Sequence, residues 1–158
     1  MYRIILVDDE PLILAGIASL ISWEDHDCTI VGKATNGPSA YDMIMSQKPD
    51  LVITDIRMPV MDGLALMEKC QAAGFRCPFI VLTNLEEFSL ARKALSLGAC
   101  EYLVKLNLTP EELIKSLDRA KESCLMWERT KISREMPASL PELLGQYINR
   151  RVALGKQD

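Results

Sequence analysis

The stretch Leu51-Val52-Ile53-Thr54-Asp55, running on through Ile56-Arg57-Met58-Pro59-Val60-Met61-Asp62-Gly63, limits the possible folds more than any other part of the chain. It follows Pro49-Asp50, climbs through β-branched and apolar side chains to a single acid, and breaks at Pro59 and Gly63. A short apolar run bounded by turn residues reads as a buried strand. Asp55 then stands where a core strand meets a loop. In an open α/β sheet, ligands bind outside the carboxyl ends of the strands. An acid at that place is either a plain strand-end cap or a functional carboxylate, and this stretch alone does not choose between them.

The rest of the chain repeats the pattern. Tyr2–Val7 reads as a strand ending in Asp8-Asp9-Glu10, after which Pro11 opens a helix to about Ile21, Pro being favoured at the first helical position. Leu12, Ile13, Ala15, Gly16 and Leu20 are its expected packing face. Ser22–Asp27 reads as a polar loop with Trp23 and the single histidine, His26. A strand over Cys28–Ala34 leads to a helix opened by Asn36-Gly37-Pro38 and ending near Ser46. Beyond the central strand come a helix from about Gly63 to Ala73, a strand Phe79–Leu82 ending in Thr83-Asn84, and a helix over Glu86–Leu97 closed by Gly98. Tyr102–Val104 is the last strand, ending in Lys105, and Thr109-Pro110-Glu111-Glu112 starts a fifth helix with an N-cap and a first turn of acids. Strands alternating with helices at these spacings predict an α/β fold, a parallel sheet covered on both faces.

Composition narrows the class. In 158 residues, 49% are apolar and 25% charged, as in an ordinary globular chain, and the net charge of −4 gives no sign of a nucleic-acid surface. The residues after Leu125 are mildly basic, the pattern of a solvated helix face. The five cysteines (Cys28, Cys70, Cys77, Cys100, Cys124) form no C-x-x-C pair, so buried small hydrophobes in a reducing compartment are expected rather than a disulfide framework or metal site. With no signal-like opening and no apolar run long enough to span a membrane, a cytoplasmic location is expected.

Four of the strands end in a ligand-type or reactive residue: Asp8 and Asp9, Asp55, Thr83, and Lys105. Parallel strands bring all these ends to one edge. Crowded carboxylates repel and raise one another's pKa values unless a cation neutralises them. Mg2+ takes one or two carboxylates and keeps its other positions for water and phosphate oxygens. A carboxylate can attack phosphorus, while a metal and a lysine offset charge on the transferred group. The pattern therefore points to phosphoryl transfer to Asp55.

These residues resemble the receiver domain of two-component response regulators. The likeness rests on Val7-Asp8-Asp9-Glu10-Pro11, on Thr54-Asp55-Ile56-Arg57-Met58-Pro59-x-Met61-Asp62-Gly63, on Val81-Leu82-Thr83 and on Tyr102-Leu103-Val104-Lys105, and it covers residues 1–124. Ile21-Ser22-Trp23-Glu24, Val31-Gly32-Lys33-Ala34-x-Asn36-Gly37 and Phe88-x-x-Ala91-x-x-Ala94-Leu95-x-x-Gly98 resemble the subtype that precedes AraC-type helix-turn-helix domains. The resemblance implies a doubly wound, CheY-like (flavodoxin-like) five-stranded sheet of order 2-1-3-4-5. It makes Asp55 the phosphoacceptor, with Asp9, Asp55 and the backbone carbonyl of Arg57 ligating Mg2+ and Asp8 supporting the ion through water. It gives Lys105 the role of pairing with the acceptor and its phosphoryl group, and makes Thr83 and Tyr102 the switch. It implies a sensor histidine kinase as donor, no enzymatic turnover, and transcriptional output through a DNA-binding domain absent from this chain.

Some positions depart from the family's pattern. Lys105 is followed by Leu106 where the family usually has proline, so the Leu106-Asn107-Leu108 loop is expected to take another course. Asn84 stands where a small residue is usual. Arg57 is expected to pair with Glu86 or Glu87 and shield the phosphoryl group from water.

Residues 125–158 are read as a helical linker or tail. Leu113, Leu117, Ala120, Cys124 and Trp127 recur at helical spacing, extending the fifth helix to about Arg134, and Ser139 caps a second amphipathic helix. A homodimer through the fifth helix and tail is expected, and the chain is expected to be a fragment of a longer regulator. Two other readings remain. One is an unphosphorylated pseudo-receiver acting as an interaction module. The other is a haloacid-dehalogenase-type phosphohydrolase, against which the adjacent acids Asp8-Asp9 speak, since that family spaces them by one residue.

Overall fold

The computed structural model describes residues 1–135, with side-chain surroundings to residue 126. Trp127 as a helix contact and the helix expected from Ser139 therefore lie outside the described residues. The chain divides into two units, Met1–Cys124 and Leu125–Asp158. Among the described residues no helix is long and apolar enough to cross a membrane.

Strands and helices alternate as β1 (Tyr2–Val7), α1 (Pro11–Leu20), β2 (Cys28–Ala34), α2 (Gly37–Gln47), β3 (Leu51–Asp55), α3 (Gly63–Ala72), β4 (Phe79–Thr83), α4 (Phe88–Ser96), β5 (Glu101–Val104) and α5 (Pro110–Glu135). The five strands form one parallel sheet in the order β2-β1-β3-β4-β5, as the family likeness implies. Val7 pairs with Thr54, Asp55 with Leu82 and Thr83 with Val104, so the polar strand ends come out level along one edge.

The period-2 alternation of strand side chains splits the core into two layers. Ile5, Val7, Val52 and Val81 face one layer with Ile44, Leu66 and Met67 of α2 and α3. Ile4, Leu6, Leu51, Ile53, Ile80 and Leu82 face the other with Leu14, Ile17, Leu113, Leu117 and Ala120 of α1 and α5. All five residues of β3 and all five of β4 are buried, as continuous apolar strands covered on both faces require. Cys28, Cys70 and Cys77 are buried free thiols. Burial pushes the Cys70 thiol up to about 11 and raises Cys77 well above the ordinary thiol range, which makes them poor nucleophiles and fits the packing role.

Three local expectations are corrected. The packing face of α1 is Leu14 and Ile17, with Ile13, Ala18 and Leu20 partly buried, while Leu12, Ala15 and Gly16 are exposed. The segment is apolar nearly all round, so periodicity alone could not fix the phase of its stripe. Ser22–Asp27 is not a featureless polar loop: Trp23–His26 form a 3-10 turn that buries Trp23, whose indole N–H donates to Ala18 O at 3.0 Å. The element expected over Glu86–Leu97 begins as a 3-10 turn, Leu85–Glu87, and becomes α-helical only at Phe88.

Gly63 fixes how closely α3 approaches the end of β3. Its N–H donates to Ile56 O at 2.7 Å, and a Cβ there would lie 2.4 Å from the backbone oxygen of Asp55. The obstacle is backbone, so it cannot rotate away. Gly63→Ala should lower stability by about 1–3 kcal/mol, the usual range for overpacking. The check is the urea midpoint, which should fall with the slope of the transition unchanged.

Candidate functional site

Three residues from distant parts of the chain meet at the carboxyl edge of the sheet. Asp8 follows β1, Asp55 ends β3 and Lys105 follows β5, and the Lys105 ammonium lies 2.8 Å from Asp8 Oδ2 and 3.0 Å from Asp55 Oδ2. Asp8 and Asp55 are both buried. Asp8 Oδ1 accepts the Glu10 backbone N–H at 2.9 Å. Its Oδ2 is buried against the Lys105 ammonium, which it shares with Asp55. The Thr54 hydroxyl donates to the backbone oxygen of Asp55 at 3.0 Å and helps fix the acceptor's main chain.

The charges do not balance. Burial pushes the Asp55 carboxyl up to about 7; the Lys105 hydrogen bond works against this, and the charge of Asp8 adds to it. Burial likewise raises Asp8, against its bonds from Lys105 and the Glu10 backbone. Burial would lower Lys105, but its hydrogen bonds and charge interactions with the two carboxylates more than offset that, and its pKa rises. One ammonium thus serves two crowded acids.

Oxygen donors for a hard cation stand beside this trio. Carboxylate oxygens of Asp8, Asp9 and Glu10 lie within 4.8 Å of one another. With the under-partnered Asp8 Oδ2 and the destabilised Asp55 charge, an all-carboxylate set of this kind suits Mg2+ better than a soft metal. Glu10 was not among the ligands expected from sequence. The only signal for it was its place directly after the two aspartates.

Other expected residues are near but engaged elsewhere. Thr83 is buried, and its hydroxyl donates to Asn84 O at 2.9 Å rather than to Asp55. Tyr102 is partly buried, and its ring meets Phe88 edge-on with centroids 5.9 Å apart. Arg57 pairs with Glu87, Nε to Oε1 at 3.8 Å. The Leu106–Leu108 loop contains no cis peptide and turns through Asn107 in a left-handed conformation (φ 61°), while the Lys105 N–H donates to Thr83 O at 2.9 Å. The lysine is therefore anchored to β4 through its own backbone, without the usual proline.

Fold and site together define a receiver. Residues 4–118 match the response regulator receiver domain family, and the chain belongs to that family. YesN of Bacillus subtilis (strain 168), named an uncharacterized transcriptional regulatory protein, is 43% identical over 118 residues, covering 75% of this chain and 32% of YesN. The chain thus spans about a third of that relative's length. The REC domain of AraT, a response regulator from Geobacillus stearothermophilus, superposes with a TM-score of 0.73 at 30% identity, over 80% of this chain and 98% of that one. A two component transcriptional regulator AraC from Clostridium phytofermentans ISDg gives a TM-score of 0.72 at 25% identity, over 80% and 97%. These relatives agree with the AraC-type subtype that the motifs resemble.

The Asp55 shift has a direct thermodynamic consequence. A carboxyl whose folded pKa lies above its unfolded value opposes folding once it ionises. The penalty is absent below the unfolded value near 3.8, grows as pH rises and is complete above about 7. Without divalent metal, Asp55→Asn should therefore melt higher than the parent at pH 8, with the gap closing as pH falls toward 5. Thermal denaturation in chelator across that range is the check, and a gap independent of pH would contradict the assigned environment.

Proposed function

We propose that this protein accepts a phosphoryl group on Asp55 from a sensor histidine kinase and passes the resulting change to a transcriptional output. The observation that carries this reading is the Lys105 ammonium held between the two buried carboxylates, at 2.8 and 3.0 Å. An Asp55 oxygen attacks the donor's phosphorus, the bond from phosphorus to the donor nitrogen breaks, and the histidine ring leaves with that electron pair. Lys105 stays beside Asp55 and offsets the negative charge that builds on the phosphoryl oxygens. Asp8 and Asp9, with Asp55 and the backbone carbonyl of Arg57, are the groups proposed to hold Mg2+. When bound, the ion would neutralise the crowded acids and the incoming phosphate oxygens. The Thr83 hydroxyl leaves Asn84 to donate to a phosphoryl oxygen, and the Tyr102 ring moves inward, a local charge event biasing a two-state element.

The output is inferred from the relatives. YesN bears the name of a transcriptional regulatory protein and is much longer than the matched stretch. The DNA-reading part of such a regulator would lie outside these 158 residues. A homodimer formed through α5 and the residues after it remains the proposed assembly.

Incubation with Mg2+ and acetyl phosphate should add one phosphoryl group to the intact mass, and the addition should vanish in Asp55→Asn and without divalent metal. Folded protein that takes up nothing would favour the unphosphorylated interaction module instead. Turnover of a phosphomonoester is not expected. The Arg57 side chain, paired with Glu87 before modification, is proposed to turn to the phosphoryl group and keep water from it. In Arg57→Ala the modified species should decay severalfold faster after donor removal, which the same mass measurement follows in time.

A further inference from the structure

Glu87 is a buried carboxylate in a surface turn. Its neighbours Leu85, Glu86 and Phe88 are all exposed, while Glu87 itself is only 7% exposed. Buried acids are rare unless their oxygens find partners. Here Oε2 accepts the Asn84 N–H at 3.3 Å, and Oε1 faces Arg57 Nε at 3.8 Å. The Glu87 N–H in turn donates to Asn84 O at 3.0 Å. That carbonyl is the same one that receives the Thr83 hydroxyl. The chain of contacts thus runs from the loop after β3, through Glu87 and both backbone groups of Asn84, to the Thr83 hydroxyl.

We propose that Glu87 is a positioning residue: tethered to Arg57 and to Asn84, it locks the turn that keeps the Thr83 hydroxyl committed to the Asn84 carbonyl. The lock is built to be released by the acceptor. Arg57 lies two residues past Asp55, so its guanidinium sits on the loop that leads from the reacting carboxylate. A phosphoryl group on Asp55 adds negative charge and strong acceptor oxygens, which compete with Glu87 for that guanidinium. Once Arg57 turns to the phosphoryl group, Glu87 loses a partner, the Asn84 turn loosens and the Thr83 hydroxyl is free to donate elsewhere. The hold is weak, as a releasable one must be: the Arg57 side chain is 74% exposed, so its ion pair is largely solvated. The motion also has an outlet. Phe88 follows Glu87 directly and carries the ring against Tyr102, so a shifted turn changes the packing of β5.

The release step rests on phosphorylation of Asp55, but the lock itself does not, and two measurements on the 158-residue chain separate them. The first is amide hydrogen exchange across Thr83–Phe88 with no phosphodonor. In Arg57→Ala the Asn84 and Glu87 amides should exchange about two- to fivefold faster, the range a single part-exposed ion pair commands, and Arg57→Lys should restore much of the protection. A residue that merely sits on the surface would not move amides it does not touch. Unchanged exchange overturns the lock. The second is the initial rate of uptake from acetyl phosphate with Mg2+. Arg57→Ala and the isosteric Glu87→Gln should both gain about the same two- to fivefold factor, since less work is spent freeing Thr83. Uptake unchanged in both variants, with the parent modified normally, overturns the coupling to Thr83. A parent that takes up no phosphoryl group defeats the functional reading instead, and the exchange result still decides whether the lock exists.

Discussion

Two acids and one ammonium, those of Asp8, Asp55 and Lys105, share a largely buried space at the carboxyl edge of the sheet, and the sheet is arranged to bring them there. One ammonium serves two carboxylates, and burial, with the Asp8 charge adding to it, pushes the Asp55 carboxyl up to about 7. The site is therefore held under electrostatic tension by the rest of the fold. A core of continuous apolar strands, with β3 and β4 buried throughout, supplies the stability against which that tension is maintained. In the proposed function, relief comes from outside, from a cation and from phosphoryl oxygens that take up Lys105. Such a site is selective because its own charges leave it unsatisfied.

The elements around this centre translate charge into position. Arg57, on the loop two residues past Asp55, reaches Glu87 with its side chain. Lys105 bonds the acids through its ammonium and Thr83 O through its amide. The loops after β3, β4 and β5 are thereby linked by main-chain and side-chain contacts rather than by apolar packing. Polar links of this sort rearrange at low cost, whereas the two core layers beneath them do not.

Much of this was legible in the sequence. The strands announced themselves because each pairs an apolar run with a polar end, and the level ends follow from parallel pairing. The phase of α1 was not legible, because Pro11–Leu20 offers apolar residues on more than one stripe, and only the sheet decides that Leu14 and Ile17 turn inward while Leu12 does not. The choice between Glu86 and Glu87 was hidden for a different reason. The turn they share is 3-10 rather than α-helical, and that local winding decides which acid is buried. The Thr83 hydroxyl direction was also invisible, since it depends on a single side-chain rotation and on where the Asn84 carbonyl points.

The strand order also bears on how the chain emerges and folds. Asp8 is near the start and Lys105 roughly a hundred residues later, so their contact closes one of the longest loops in the domain. Until β5 is made, β4 is the sheet's edge, and its sequence Phe79-Ile80-Val81-Leu82-Thr83 carries no charge, proline or glycine to discourage pairing with another chain. The short segment that delivers the lysine, Glu101–Val104, is also what covers that edge. A partly synthesised chain is thus at once sticky and chemically incomplete, and the same few residues end both conditions together.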